Sequence, residues 1–194
     1  MSEAAGLGFG DFTERYAPGD ARPGLSDHLD RDFRKVASPG ARYVYSKTGY
    51  NLLELVIEDC AGVGYAAFVE REIFTPLRIK LATYDWPGPA MTVGHDLRGW
   101  PVATYVSPWR GSEGLFATAS DIARLAAASM TGADQAVLSE AGARLLRRPV
   151  VTVDGLFGVT AEGYGLGHSW GKILGARLVA CSPGDYARYV GVGQ

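Results

Sequence analysis

A chain of 194 residues that is 47% hydrophobic and 21% charged is long enough to enclose one sizeable core and too apolar for a disordered tail. A formal net charge of −2, with no long run of Lys or Arg, excludes the electrostatic footprint of a nucleic-acid-binding protein. The 26 glycines and 10 prolines point to many turns and exclude a plain helical bundle.

Residues 1–25 are rich in Gly, Pro and acidic side chains, with turn signals at Pro18-Gly19 and Pro23-Gly24, and read as loop with at most one short helix. No basic stretch followed by a long apolar run opens them, so neither an export signal nor a membrane span is read. As it stands the chain reads as cytoplasmic, and the location of a longer protein is left open. Ser26 suits the cap of a helix reaching about Arg34, and Pro39-Gly40 turns the chain into an extended stretch at 42–45. Over residues 50–60, Leu52, Leu53, Val56, Ile57 and Cys60 recur at three-and-four spacing opposite Glu54, Glu58 and Asp59, which predicts an amphipathic helix with the apolar stripe inward. Gly62 ends it. A second helix follows Gly64, its stripe Tyr65, Phe68, Val69 and Ile73 opposing Glu70 and Arg71, until Pro76 stops it.

Residues 78–117 contain Pro87, Pro89, Pro101 and Pro108 and read as irregular structure with short strands. Thr118 or Ser120 caps a third helix with Ile122, Leu125, Ala126 and Met130 on one face and Gly132 at its end; a shorter helix runs over 139–148. Beyond Pro149 the pattern turns to short β-rich runs at 150–153, 164–170, 176–181 and 186–192. Helices first and strands last, with no regular alternation, make the fold class α+β: one domain over 1–194, mainly helical over 1–149 and antiparallel sheet over 150–194.

Several chemistries lack their residues. His28, His95 and His168 lie far apart with no His-Glu-x-x-His or Cys-x-x-Cys spacing, so no metal is expected and they read as surface or capped histidines. Gly6-Leu7-Gly8-Phe9-Gly10 lacks the third glycine and the preceding strand of a dinucleotide site, and no cofactor is expected. Arg110-Gly111-Ser112-Glu113-Gly114 has arginine where a nucleophile elbow needs its first glycine. Cys60 and Cys181, isolated in apolar stretches, read as buried free thiols.

Three blocks carry a resemblance. Residues 39–77, PGARYVYSKTGYNLLELVIEDCAGVGYAAFVEREIFTPL, resemble the Pro-Gly…Tyr-Ser-Asn-x-Gly-Tyr-x-Leu-Leu…Ile-Phe-x-Pro-Leu block of the serine β-lactamase-like family, which includes class C β-lactamases, D-Ala-D-Ala carboxypeptidases and related esterases. Residues 111–125 are similar to its Gly-Gly-Leu-x-Ser-Thr-Ala-x-Asp-Leu-Ala-Arg segment, and Tyr164-Gly165-Leu166-Gly167 to its Tyr-Gly-x-Gly strand. The resemblance implies a β-lactamase/transpeptidase-like fold represented incompletely, as the helical subdomain plus part of the antiparallel sheet.

It also implies a site. In such a family a serine, made nucleophilic by a lysine one helical turn away, attacks a carbonyl and forms an acyl-enzyme. Tyr45 matches the family tyrosine, a proton shuttle when nearby cations favour the phenolate; read without the family, it is a half-buried packing residue beside a turn. Lys47 stands where asparagine is usual: its ammonium donates only, and it would repel the motif lysine or favour the Tyr45 phenolate, while a lysine in a turn reads most simply as exposed. Lys47-Thr48-Gly49 is not the late-strand Lys-Thr-Gly motif, because it enters a helix. Residues 179–184 match a Val-x-His/Lys-x-Gly-Gly run and make Cys181, Ser182 and Gly184 the substrate-binding candidates; Cys181 replaces the expected cation, and Pro183 removes a backbone donor.

The family's Ser-x-x-Lys helix precedes a Thr-Ser-Gly-Leu-like segment, matched here by Glu3-Ala4-Ala5-Gly6-Leu7, so that helix is expected upstream of these residues, with further strands and a terminal helix beyond Gly191. The literal Ser169-x-x-Lys172 lies in a strand-like run and lacks the helical stacking the pair needs. The implied activity is acyl transfer on a β-lactam, D-Ala-D-Ala peptide or ester, with this stretch inactive alone and its partner a small-molecule or peptide-like substrate once completed. The alternative is a non-catalytic remnant that binds a ligand or a protein; oligomeric state is left open.

Overall fold

The computed structural model describes residues 2–11, 13–89, 91–130, 136–153, 162–173 and 176–181. Helix α1 (Leu25–Asp32) begins after Gly24 without a side-chain cap, so Ser26 lies inside it. Helix α2 (Lys47–Ala61) starts three residues before the apolar periodicity does, because Ser46, in extended conformation, accepts the Gly49 N–H on its Oγ at 3.0 Å. Thr48 and Gly49 are weak helix formers, so the cap sets this start and propensity does not. Gly62, left-handed at φ 66°, closes the helix.

Helix α3 (Tyr65–Val69) opens with its Tyr65 N–H on Glu58 Oε1 at 2.8 Å and widens into a π-helical turn, Glu70–Phe74, where the Thr75 N–H reaches the Glu70 carbonyl at 2.9 Å. Pro76, with no N–H to give, follows directly. The expected stripe of this helix packs as read: Val69 and Phe74 are buried with Ile79 and Ala82, and Tyr65, Phe68, Ile73, Tyr84, Leu115 and Leu125 close around them. Helix α4 (Ala119–Ala127) starts at Thr118, which forms a reciprocal capping box with Asp121, and α5 (Glu140–Arg147) at Ser139, whose Oγ accepts the Gly142 N–H. The face expected for α4 is only partly inward: Leu125 joins the core, whereas Ile122 and Met130 are exposed.

Helix α2 meets the expected orientation only in part: Leu52, Leu53 and Ile57 are half-buried and Asp59 is exposed, but the most enclosed face is polar. Its buried residues are Lys47, Thr48, Gly49, Asn51 and Glu54, whereas Val56 and Cys60 of the apolar stripe are exposed. Cys60 is therefore a free thiol, as read, on the surface and not in the core. Lys47, Glu54 and the Asn51 Nδ2 have polar partners there, described below, and a paired polar group is buried at far lower cost than an unpaired one.

The antiparallel sheet has the order β1 (Val151–Thr152), β2 (Gly163–Tyr164), β3 (His168–Ile173) and β4 (Ala176–Cys181). The run read as one strand over 164–170 is two strands joined by a tight turn, with the Gly165 N–H on the His168 carbonyl and Gly167 left-handed. Ser169 and Lys172 lie on β3, in a strand and not in the helix on which a Ser-x-x-Lys pair is built. The run at 186–192 lies outside the described residues. Among the described residues ahead of α1 no regular element forms, but segment 3–9 is laced to 34–47 by backbone bonds from Gly8, Val36, Gly40, Val44 and Lys47. Among the described residues no helix is long and apolar enough to cross a membrane.

Gly111 packs directly against α2: a Cβ there would lie 2.5 Å from the Tyr50 carbonyl oxygen and 2.9 Å from Glu54 Cβ. Gly111→Ala must push the loop off the helix and is expected to cost about 1–3 kcal/mol, read as a lower midpoint in urea unfolding with unchanged slope.

Candidate active site

Tyr45 directly precedes the capping Ser46 and is half-buried, its ring tilted against Phe9 at a centroid distance of 5.6 Å. Ser46 fixes this point of the chain three times. Its N–H donates to Glu3 Oε2 at 3.0 Å, its hydroxyl donates to the Gly8 carbonyl at 2.7 Å, and the same oxygen caps α2. The Lys47 N–H then donates to the Phe9 carbonyl at 3.0 Å, and Gly10, left-handed at φ 89°, lies so near Thr48 that a Cβ would meet its Oγ1 at 2.8 Å. The N-terminal segment thus runs across the start of α2 and holds Tyr45 from one side.

Lys47 is not the exposed turn lysine that its surroundings suggest. It is the first residue of α2, its side chain is 4% exposed, and its Nζ lies 2.6 Å from Glu113 Oε2, in the loop before α4. Glu113, at 31% exposure, forms the outer half of the pair. In the sequence nothing marks it beyond its place: it stands at the first glycine of the Gly-Gly-Leu pattern that residues 111–125 resemble.

Three further buried polar contacts brace the same helix. Glu54 accepts the backbone N–H groups of Arg110 and Gly111 at 2.8 and 2.7 Å; burial raises its pKa, and those two bonds oppose the rise. Asn51 Nδ2 lies 3.0 Å from His28 Nε2, and His28 stacks on Trp109 at 3.8 Å while its Nδ1 sits 3.2 Å from Asp32 Oδ2. His28 is 1% exposed, so it is a core residue and not a surface one, and burial holds its pKa below the usual histidine value. Tyr50 Oη lies 3.1 Å from Tyr164 Oη, joining the first resembling block to the Tyr-Gly-x-Gly strand. Burial and the neighbouring phenol push Tyr50 above the ordinary phenol range.

Glu3, which nothing in its Gly-rich surroundings marks, is 1% exposed and adopts φ 52°, unusual for a residue with a Cβ. Burial raises its pKa to about 8, against the Ser46 N–H bond that favours the charged form. Its Oε1 and the Tyr43 hydroxyl, whose pKa burial also raises, are buried without hydrogen-bond partners among the described residues.

Of the residues read from sequence, Tyr45 and Lys47 come together at the start of α2. Cys181 ends β4, paired with His168 of β3 and two strands from Tyr164, and His168 Nε2 lies 3.2 Å from Ser129 Oγ below α4. Ser182 and Gly184 lie outside the described residues.

Helices around a small antiparallel sheet, with a Tyr-Ser pair capping the central helix, define the β-lactamase/transpeptidase-like fold. The chain belongs to the Beta-lactamase family, which matches residues 4–192. A human protein described as beta-lactamase-like 1 is 27% identical over 135 residues, 67% of this chain and 27% of that protein. The octameric penicillin-binding protein homologue from Pyrococcus abyssi superposes with a TM-score of 0.63 at 27% identity, over 75% of this chain and 34% of its own. The D-amino acid amidase from Ochrobactrum anthropi superposes at 0.71 with 19% identity, over 93% and 54%, a likeness of fold. The chain thus spans between about a quarter and about half the length of these relatives.

Removing Glu113 takes a close counter-charge from the buried Lys47 ammonium, so Glu113→Ala is expected to destabilise by roughly 2–3 kcal/mol, and Lys47→Met with Glu113→Leu to restore most of it, read by urea unfolding. The raised Glu3 pKa sets a pH trend of opposite sign to the usual carboxylate. The stabilising contribution of the protonated form is full below the unfolded value near 4.5 and is lost as pH rises through about 8. Wild-type stability should fall relative to Glu3→Gln across that window; parallel pH profiles for the two proteins would refute the assignment.

Proposed function

We propose that this chain forms the tyrosine wall of an acyl-transfer site in a β-lactamase-related serine hydrolase whose substrate is a β-lactam, a D-Ala-D-Ala-type peptide or an ester. The supporting observation is the placement of Tyr45: its backbone is pinned by the Ser46 cap, one residue before a buried lysine, in a chain that belongs to the Beta-lactamase family. In this reading the phenol relays a proton between the attacking serine and the leaving group, a role that requires a cation near it because a free phenol titrates near ~10.

The nucleophilic serine and its lysine are supplied by a segment outside these residues. The Ser169-x-x-Lys172 spacing lies on β3 and does not serve, and the Ser46 hydroxyl is used both as donor and as acceptor within the fold. The 194-residue chain alone is therefore inactive in this reading. A second reading, a non-catalytic binding remnant, is favoured by the Lys47–Glu113 pair, which neutralises the lysine beside Tyr45, and by Cys181 at the place of the family cation.

Labelling with a fluorescent penicillin and a fluorescent phosphonate separates the two. The chain alone should take up neither, whereas a longer protein that joins it to a family Ser-x-x-Lys segment should be labelled. Tyr45→Phe in that longer protein should slow labelling by about 10²–10⁴-fold. A folded longer protein that resists both probes leaves the binding remnant as the function.

A further inference from the structure

A cavity of about 420 Å³ opens between α3 and the loop that carries Arg110, and none of Tyr45, Lys47, Glu113 or Tyr164 lines it. Its size falls in the range of small-molecule sites, roughly 300–1,000 Å³. Tyr65 and Tyr84 form its aromatic wall, edge to face at 5.5 Å, with Phe74 stacked behind Tyr84. One cation, Arg110, and three carboxylates, Glu58, Glu70 and Asp85, line it, with Asp85 beside Arg110.

Arg110 is the under-satisfied member. Its side chain is 26% exposed, yet the ion pair it makes is a loose one, 3.9 Å to Asp85, which is itself 80% exposed. Its Nε is buried without a hydrogen-bond partner among the described residues. A guanidinium in that condition lacks the planar, two-oxygen partner its donor fork matches best, a carboxylate. The root of the side chain is already fixed, because the Arg110 and Gly111 N–H groups are both held by Glu54, so little ordering is needed on binding.

A plain anion is nevertheless a poor guest, since three carboxylates line the same walls. Glu58 is committed to the Tyr65 N–H, which leaves Glu70 and Asp85, both exposed, to face a ligand cation. We propose that this cavity binds a small zwitterion, a free α-amino acid, its carboxylate on Arg110, its ammonium toward Glu70 and Asp85, and its side chain against Tyr65 and Tyr84. The site is separate from the acyl-transfer reading and stands or falls without it.

Calorimetric or NMR titration of the 194-residue chain with L- and D-alanine and with L-phenylalanine tests this, with acetate and ethylamine as single-charge probes. Saturable binding on the order of millimolar is expected for at least one amino acid, with acetate and ethylamine each about tenfold weaker. Arg110→Gln should weaken amino-acid binding by about tenfold or more. Glu70→Gln, an exposed change that leaves the core untouched, should weaken it by several-fold while acetate affinity rises. Thermal midpoints of both variants report whether they remain folded. The proposal is overturned if no amino acid saturates, if acetate or ethylamine binds as tightly as the zwitterion, or if folded Glu70→Gln and Arg110→Gln bind like the parent.

Discussion

Helix α2 turns an ammonium, an amide and a carboxylate toward the interior, and every one of them must find a partner there, because desolvating an unpaired polar group costs more than one apolar contact returns. Lys47 meets Glu113, Asn51 meets His28, and Glu54 meets the N–H groups of Arg110 and Gly111; Glu58, half-buried at the far end, holds the start of α3. Spacings of four, three and four residues keep these side chains on one face of the helix. The contacts dock three segments, the 107–114 loop twice, so α1, α3 and that loop are all located relative to one polar stripe. Apolar packing alone tolerates sliding. Directional bonds do not, and a one-residue slip of α2 would break all of them together.

Tyr45 inherits its position from that arrangement. It lies outside any helix or strand, where backbones are ordinarily mobile, but the next residue is held by three hydrogen bonds to three parts of the chain. One of those bonds ends on Glu3, a residue in a left-handed backbone conformation with a largely desolvated carboxyl group. Strain and an under-satisfied buried acid are retained only where the surroundings over-determine them, and here they sit against the stretch that presents the phenol. Protonated, Glu3 can lie in this interior without a buried charge; ionised, it depends on the Ser46 N–H alone among the described residues. Acid and capping serine are therefore linked: ionisation strengthens the Ser46 N–H bond but costs the burial of a charge, and the two effects oppose each other.

The elements were legible where stability comes from apolar periodicity and local capping. The stripe Tyr65, Phe68, Val69, Ile73 predicts its own packing, and Gly62, Thr118 and Ser139 mark real helix ends. What the pattern misplaces is α2, because periodicity reports which face is apolar and not which face is buried. Leu52, Leu53, Val56, Ile57 and Cys60 make a convincing stripe, yet Val56 and Cys60 point to solvent while Asn51 and Glu54 are enclosed. Burial there is decided by partners far along the chain, Glu54 with Arg110 and Asn51 with His28, and no local window contains both members. The candidate site divides the same way. Tyr45 was readable from its block; Glu113 and Glu3 were not, since their importance arises only when a distant residue closes on them.

Lys47 raised a difficulty in the sequence: an extra ammonium at the place of an asparagine should repel a catalytic lysine nearby. Glu113 resolves it. Two departures from the family's pattern, lysine for asparagine and glutamate for glycine, meet at 2.6 Å as an ion pair with no net charge. The polar contact between the start of α2 and the loop before α4 is thereby kept, and the electrostatic field beside Tyr45 is far less positive than an isolated lysine would make it. The same cancellation has a cost for chemistry. An asparagine amide can both donate to a substrate carbonyl and accept from a neighbouring cation, whereas the paired ammonium has already committed one of its donors to Glu113 and can accept nothing. Under the proposed acyl-transfer reading, a substrate beside Tyr45 would meet an ammonium shared with Glu113 in place of the amide.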